Sequence, residues 1–597
     1  MIWNRRCRSN KSRTFWRVYY PSRHRRRRGS GSRRKSRSVE SRRHVLRFSL
    51  VFLILIACLG VFVVKLVLIQ TFRSGYLTNL AAKQHRHLVE LEPVRGTIYD
   101  RKMRPVAFNV SVYSLFASPK MMSEADKQLA LEHLSGILGV GPDAMSANLD
   151  KDKYFVWIKR KLPQETFEKI QKLKLKGLGF RKESKRFYPG AALAAHVIGF
   201  ADIDNNGLEG LELYYNKELK GKPGWMRVMR DARLTELLLD NNFLPARDGL
   251  NLVLTIDETI QYIAERALAQ AREKYNAKSA TIIVMDTRTG AILALANQPT
   301  YDLEHYADSG AESRTNRAVS HVYEPGSVFK VVTAAAALQE GKFTESDKIF
   351  CENGKYKIAT NILTDHHPHG TLSFTEVFSV SSNIGVAKIA QKLGGPTIYQ
   401  YAKKFRFGVP TGIDLKGEVK GWLKDPSRWS RTSIGAVPIG YEVTVTPLQL
   451  LGMMATVANN GTYVQPFVVR YIQDKQGHVV KSFGGEVLAE HVIDGETARR
   501  VKEILVGVVE HGTAQKAQIK GMRVAGKTGT SRKVIGGAYA EGKYYATFAG
   551  FAPADDPRLA AIVIMDEPHP AYFGGTVCAP VFKEVIENAL KYLESSG

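Results

Sequence analysis

The run ATIIVMDTRTGAILALANQP, Ala280 to Pro299, decides how the larger part of this chain folds. It holds two β-rich segments joined by a Gly-containing turn, the pattern of an antiparallel hairpin. Just before it, NLVLTIDETIQYIAERALAQAREKY (Asn251–Tyr275) opens with a short β-type run, Leu252 to Ile256. That run leads into an amphipathic helix with Asp257 as its cap and Ile260, Ile263, Ala264 and Leu268 on one face. The C-terminal end mirrors this arrangement. YYATFAGFAP and LAAIVIMDEP flank the turn ADDPR, and VFKEVIENALKYL closes the chain as a second amphipathic helix. Strands at both ends of a helix-rich middle predict a central antiparallel sheet flanked by helices, in two layers or more.

The whole chain has 597 residues, 44% hydrophobic and 24% charged. That length predicts two or more folded domains, and that composition excludes a wholly disordered or multi-span membrane chain. The net charge of +29 is unevenly placed: residues 1–47 hold 18 Lys and Arg against the single acid Glu40. A nucleic-acid-binding body would spread basic charge over a fold, so no nucleic-acid partner is expected. The arm, residues 1–47, predicts disorder, because its like charges repel and it has little to bury. Phe48 to Ile69 is apolar apart from Lys65. Its 22 residues give about 33 Å of helix, enough for one membrane span, and the cationic side keeps the N-terminus cytoplasmic. Everything after Ile69 is then extracytoplasmic.

Cys7 lies in the arm and Cys58 in the span, so Cys351 and Cys578 form no disulfide framework, and no Cys/His spacing suggests zinc. His366, His367 and His369 cluster in DHHPHG, read as a loop before a helix and not as metal ligands. From Phe72 to about Gly249 the segments are short and mixed, with helical spacing in Leu162–Gly177 through Phe167, Ile170 and Leu173. No nucleophile, base and electrophile gather there, so this region is structural or recognitional.

Three short motifs carry chemistry. In EPGSVFK, Glu324 to Lys330, Ser327 and Lys330 stand three apart at the entry of an Ala-rich helix that Gly341 stops. A serine hydroxyl needs a neighbouring base, and a lysine held partly neutral by desolvation and nearby positive charge can serve. Ser381-Ser382-Asn383 follows a capping-box pattern, Ser373 to Glu376, and is expected at a break between two helical pieces. Lys527-Thr528-Gly529-Thr530 lacks phosphate-loop spacing. As a strand it alternates Lys527 and Gly529 against Thr528 and Thr530, with Gly529 admitting a ligand close to the backbone.

In this order Ser-x-x-Lys, Ser-x-Asn and Lys-Thr-Gly are the set of penicillin-binding proteins and serine β-lactamases. With Arg95-Gly96-Thr97-Ile98-Tyr99-Asp100-Arg101, Arg186-Phe187-Tyr188-Pro189, Gly207-Leu208-Glu209-Gly210 and IGYEVTVTPLQL from Ile439, the chain resembles the class B penicillin-binding proteins, septal branch, over about residues 70–597. One departure stands out: the family often continues Asp-Arg with Asn-Gly, where this chain has Lys102-Met103.

The resemblance implies an α+β, multidomain fold: residues 1–47 as arm, 48–69 as transmembrane helix, 70–248 as a non-catalytic pedestal of the dimerisation type, and 249–597 as the transpeptidase domain. It implies a serine D,D-transpeptidase that cross-links peptidoglycan stem peptides, taking a D-Ala-D-Ala donor and an amine acceptor, without cofactor. Ser327 would be the nucleophile and Lys330 the base, with Ser381, Asn383 and Lys527 relaying protons and tuning charge. Thr528, Gly529 and Thr530 would bind the substrate, and backbone N–H groups of Ser327 and Thr530 would hold the oxyanion. β-Lactams would acylate Ser327. A glycan polymerase similar to FtsW and other divisome proteins would be partners. An elongation-type enzyme and a D,D-carboxypeptidase use the same motifs, and an inactive divisome scaffold is the reading from outside the enzymes.

Overall fold

The computed structural model describes residues 38–77, 86–230, 236–237 and 243–596. Most of the basic arm, with Cys7, lies outside the described residues. The chain divides into two units, Met1–His87 with Val228–Leu239, and Leu88–Arg227 with Asp240–Gly597. In the first, one helix runs from Ser38 to Thr71. Within it Leu46–Thr71 contains an 18-residue stretch of mean hydropathy 3.0 that is nowhere buried against protein, so it is long and apolar enough to cross a membrane. The helix starts ten residues before Phe48. Ser38–Arg47 is therefore helical, where the charge density predicts disorder. Extending a helix that the span has already nucleated costs far less than starting one.

The second unit contains the expected antiparallel sheet. Its five strands lie in the order Ile292–Gln298, Ser279–Asp286, Leu559–Asp566, Ala538–Ala552, Ala525–Ile535. The opening hairpin pairs Ala280 with Gln298, and the C-terminal pair places Lys527 opposite Ala549. Alternation along Ser279–Asp286 feeds two cores. Ala280, Ile282 and Val284 pack with Leu268 of the helix Glu258–Lys274 and with Phe582 and Ile586 of Ala579–Ser596. Ile283 and Met285 join the opposite core with Val331 and Val332 of Lys330–Gln339 and Leu448 of Pro447–Ala458. Helices thus cover both faces, and Asp257 caps the first by accepting from Thr259 N (3.0 Å). The helix Lys330–Gln339 is buried on every side through Leu338, which its run of alanines permits by keeping the backbone slim.

The region before residue 249 has its own antiparallel strands, Pro105–Ala117 paired on one side with Val156–Leu162 and on the other with Leu178–Phe187. The helix expected near Leu162–Gly177 spans Gln164–Leu173 and buries Phe167 and Ile170. This part shares a sheet with the part that follows residue 249. Ile98 pairs in parallel with Leu252, whose strand pairs in turn with Val469–Gln473, so one sheet crosses residue 249.

Two of the segments that carried the resemblance, those of Arg95 and Arg186, converge on one buried carboxylate. Glu212 is fully buried and accepts from Arg95 Nε (2.6 Å) and Arg186 Nε (2.6 Å). Arg95 also reaches the Asn205 carbonyl, and Arg186 reaches the Gly96 carbonyl (2.7 Å). The departure at Lys102-Met103 has a visible cost: Met103 adopts φ 64°, the left-handed region that suits glycine. Asp100 closes that turn by accepting from the backbone N–H groups of Lys102 and Arg104, each at 2.8 Å.

Glu212→Ala leaves two buried guanidinium groups uncompensated and should lower unfolding free energy by ~3–5 kcal/mol in a denaturant titration. Met103→Gly should raise it by about 1 kcal/mol in the same assay, relieving the left-handed methionine.

Candidate active site

Pro325 and Gly326 lead into a short 3₁₀ turn, Gly326–Phe329, and the α-helix begins at Lys330. One α-helix carrying both Ser327 and Lys330 was the expectation, and the tighter turn corrects it. Gly326 takes φ +54° and donates its N–H to the Gly440 carbonyl (3.1 Å), which holds the chain off the α-helical path. At three residues per turn, positions i and i+3 eclipse, so Ser327 and Lys330 still share a face. Ser327 remains half-buried, whereas Lys330 is completely buried.

The turn is clamped from two sides. Ser531 Oγ donates to the Glu324 carbonyl (2.6 Å), and Glu442 N donates to Glu324 Oε1 (2.9 Å). Gly529 lies against the same turn: a Cβ there would sit 2.8 Å from the Pro325 carbonyl oxygen and 2.9 Å from Val328 Cγ2. The space expected to admit a ligand beside Gly529 is thus filled by the protein's own turn at Ser327.

Ser381-Ser382-Asn383 occupies the expected break, between the helices Phe374–Ser379 and Asn383–Leu393. The capping box at Ser373 and Glu376 is formed, and Ser382 caps the second helix by accepting from Gly385 N (2.9 Å). Ser381 has φ 62°. That conformation is costly for serine, and here it aims two acceptors at one amine. Lys330 Nζ donates to Ser381 O (2.7 Å), Ser381 Oγ (3.1 Å) and Asn383 Oδ1 (2.8 Å). Lys527 Nζ reaches the same Ser381 Oγ at 3.0 Å. One hydroxyl therefore bridges two buried lysines, and Lys330, Ser381, Asn383 and Lys527 form a single connected group.

Burial pushes both lysines down. Lys330 falls well below the ordinary lysine value, first through desolvation and then through the charge of Lys527, against an opposing pull from Asp365. Desolvation alone brings Lys527 to about 7. A neutral Lys330 can give two N–H bonds to Ser381 O and Asn383 Oδ1 and keep its lone pair for a proton.

The remaining motif residues line the edge strand Ala525–Ile535. Thr528 Oγ1 pairs with Thr513 Oγ1 (2.8 Å), and Thr530 Oγ1 accepts from Gly574 N (3.2 Å). Sequence reasoning missed Thr513, whose N–H donates to the Ser379 carbonyl (3.3 Å) and so ties the end of the helix before the second motif to the third motif. It also missed Asp365, which receives the Ser382 hydroxyl (2.6 Å) and the N–H of Ile384 (3.0 Å). The Asp365 signal was present in DHHPHG, read for its histidines and not for its first residue. His366 and His367 lie against each other, and among the described residues no group of three His, Cys, Asp or Glu is placed to hold a metal ion. Cys58, Cys351 and Cys578 are free thiols.

Residues 280–587 match the family described as penicillin binding protein transpeptidase domain, and residues 90–254 match the penicillin-binding protein dimerisation domain. The chain is 34% identical over 531 residues to the probable peptidoglycan D,D-transpeptidase PenA of Neisseria meningitidis, covering 88% of this chain and 89% of that protein. It is 31% identical to the peptidoglycan D,D-transpeptidase FtsI of Escherichia coli, covering 91% of each. In three dimensions it is similar to penicillin binding protein 3 of Mycobacterium tuberculosis complexed with aztreonam, with a TM-score of 0.67 at 26% identity, over 85% of this chain and 97% of that one.

Gly529→Ala should push the Ser327 turn away from the strand. A displacement near 1 Å at a nucleophile costs roughly 100-fold, so the rate of labelling by a fluorescent penicillin should fall by about that factor.

Proposed function

The chain belongs to the class B penicillin-binding proteins, and we propose that it acts as a peptidoglycan D,D-transpeptidase in which Ser327 is the nucleophile. The observation that carries this reading is Lys330: completely buried, depressed in pKa by burial and by Lys527, and hydrogen-bonded to Ser381 and Asn383. It is a base prepared to be neutral one 3₁₀ turn from a half-exposed serine.

Ser327 Oγ attacks the carbonyl between the two terminal D-Ala residues of the donor stem, and its proton passes to Lys330 Nζ. Backbone N–H groups of Ser327 and Thr530 stabilise the oxyanion, a role suited to the unpaired outer side of an edge strand. As the C–N bond breaks, the proton leaves Lys330 through Ser381 Oγ to the departing D-Ala nitrogen, leaving an ester on Ser327. Ser381 can relay because its hydroxyl touches both lysines. An acceptor stem's amine then attacks the ester, gives up its proton to the same relay, and Ser327 leaves reprotonated. Thr528 and Thr530 receive the donor's terminal carboxylate beside Lys527, which an anion would raise from about 7 toward the charged form. β-Lactams acylate Ser327 by the same first step.

A septal role in cell division is the cellular reading. It is supported by 31% identity to FtsI along nearly the whole chain and by IGVAKIA after the second motif. The apolar helix anchors the chain once in the membrane, with the basic arm cytoplasmic and residues 70–248 and 249–597 outside as pedestal and transpeptidase domain. A polymerase similar to FtsW and other divisome proteins are the partners this placement suits.

Membranes holding the wild type should label with fluorescent penicillin and those holding Ser327→Ala should not; equal labelling removes Ser327 from its role. The labelling rate should rise with pH as Lys330 loses its proton, since the neutral amine is the reactive base. Given an acceptor stem, the wild type should form cross-linked dimer, and hydrolysed donor alone would make it a carboxypeptidase. Depletion should give undivided filaments, whereas rounded cells would assign it to elongation.

A further inference from the structure

Asp365 follows the strand Asn361–Thr364, which pairs with Lys355–Ile358 in a hairpin outside the three motifs. Its carboxylate takes three donors from one place. Oδ2 accepts from the Ser382 hydroxyl, and Oδ1 accepts from the backbone N–H groups of Asn383 and Ile384. The residue before it adds a fourth tie, because Asn383 Nδ2 donates to the Thr364 carbonyl (2.9 Å). These bonds land on the first turn of the helix Asn383–Leu393, where a carboxylate is favoured both by free N–H groups and by the helix dipole.

Asn383 is thereby held at both ends of its amide. With Nδ2 fixed on Thr364, Oδ1 has to face Lys330 Nζ, 2.8 Å away. Ser381, next to the pinned Ser382, is kept in its left-handed conformation with its carbonyl 2.7 Å from the same amine. We propose that Asp365 is a positioning residue for acyl transfer, which locks the start of the Asn383 helix so that the Ser381 and Asn383 acceptors meet the base. The proposal deepens the reading above and rests on Ser327 as nucleophile and Lys330 as base.

The charge of Asp365 has a separate consequence. Lys330 is faced by Lys527 from the edge strand and by Asp365 from this hairpin, and these act on its proton in opposite directions. Around Asp365 itself stand Ser382, the buried thiol of Cys351, which burial pushes up, and the adjacent exposed His366. A neutral side chain at 365 removes the charge that favours protonated Lys330. Lys330 then becomes neutral at lower pH.

The test is the second-order labelling rate with fluorescent penicillin as a function of pH, for the detergent-solubilised full chain and for Asp365→Asn and Asp365→Glu. Rates are read from the protein that labels, so partial misfolding lowers the amplitude without changing the constant. Asp365→Asn should lose roughly ten- to a hundredfold in rate, as expected for charge-assisted bonds at a catalytic group, and should move the acidic limb to lower pH. Asp365→Glu keeps the charge but displaces it, so its rate should fall while the limb stays where it is in the wild type. A wild-type rate and limb in Asp365→Asn would overturn the proposal. So would a loss of thermal stability with an unchanged limb, which is the signature of a merely structural residue. Ser327→Ala runs alongside: if it still labels, the nucleophile is misassigned, and that failure is distinct from the failure of Asp365.

Discussion

A fully buried lysine amine has to be held by acceptors that cannot move away, and most of the arrangement around the three motifs follows from that constraint at Lys330. Burial alone makes the charged form expensive. The surrounding groups answer by supplying oxygen atoms of Ser381 and Asn383 at hydrogen-bond distance, and by placing a second buried lysine behind the shared hydroxyl. To bring those oxygens in, Ser381 accepts a left-handed backbone, Ser382 becomes a helix cap, and Asp365 ties down the helix start. Ser327 meets a complementary constraint. Its turn is pressed between Gly440 on one side and Gly529 on the other, two positions where any Cβ would collide with backbone. The same contacts explain why the three motifs, separated by up to two hundred residues, act as one group.

Much of this was legible from residues. The hairpin at Ala280–Pro299 and its C-terminal mirror foretold the sheet, because period-two apolar runs with marked turns admit few other arrangements. Asp257, Ser373 and Glu376 were readable as caps because capping is local chemistry with a fixed spacing. The 3₁₀ turn at Ser327 was not readable, since it depends on a bond from Gly326 to Gly440, more than a hundred residues away. Asp365 and Thr513 were missed because each bonds to a motif residue through a turn of the fold, 17 and 15 residues along the chain, and the DHHPHG that begins with Asp365 drew attention to its histidines. Gly529 was recognised as a place of close approach, but its neighbour proved to be the chain's own backbone.

The region before residue 249 shows how a recognisable sequence can serve without touching the chemistry. Arg95, Arg186 and Glu212 stand in or beside the segments that marked the family, yet they meet one another in a dry interior and not at a surface. A buried carboxylate shared by two guanidinium groups tolerates little substitution, because removing any member strands the others. Such a cluster therefore leaves as clear a sequence mark as a catalytic triplet does, for reasons of desolvation alone.

The sheet that crosses residue 249 has a practical meaning for anyone dividing the protein. A cut at that point, natural for a two-domain reading, would strip the strand Asn251–Leu254 of its partner Ile98. The freed edge would expose unpaired backbone N–H and C=O groups on four buried residues. An isolated catalytic fragment would thus carry a ready template for pairing with its own copies, and its insolubility would say nothing about the enzyme in its membrane. Fragments that begin before Arg95 keep both the sheet and the arginine–glutamate cluster whole, and these are the pieces suited to crystals and to inhibitor screens.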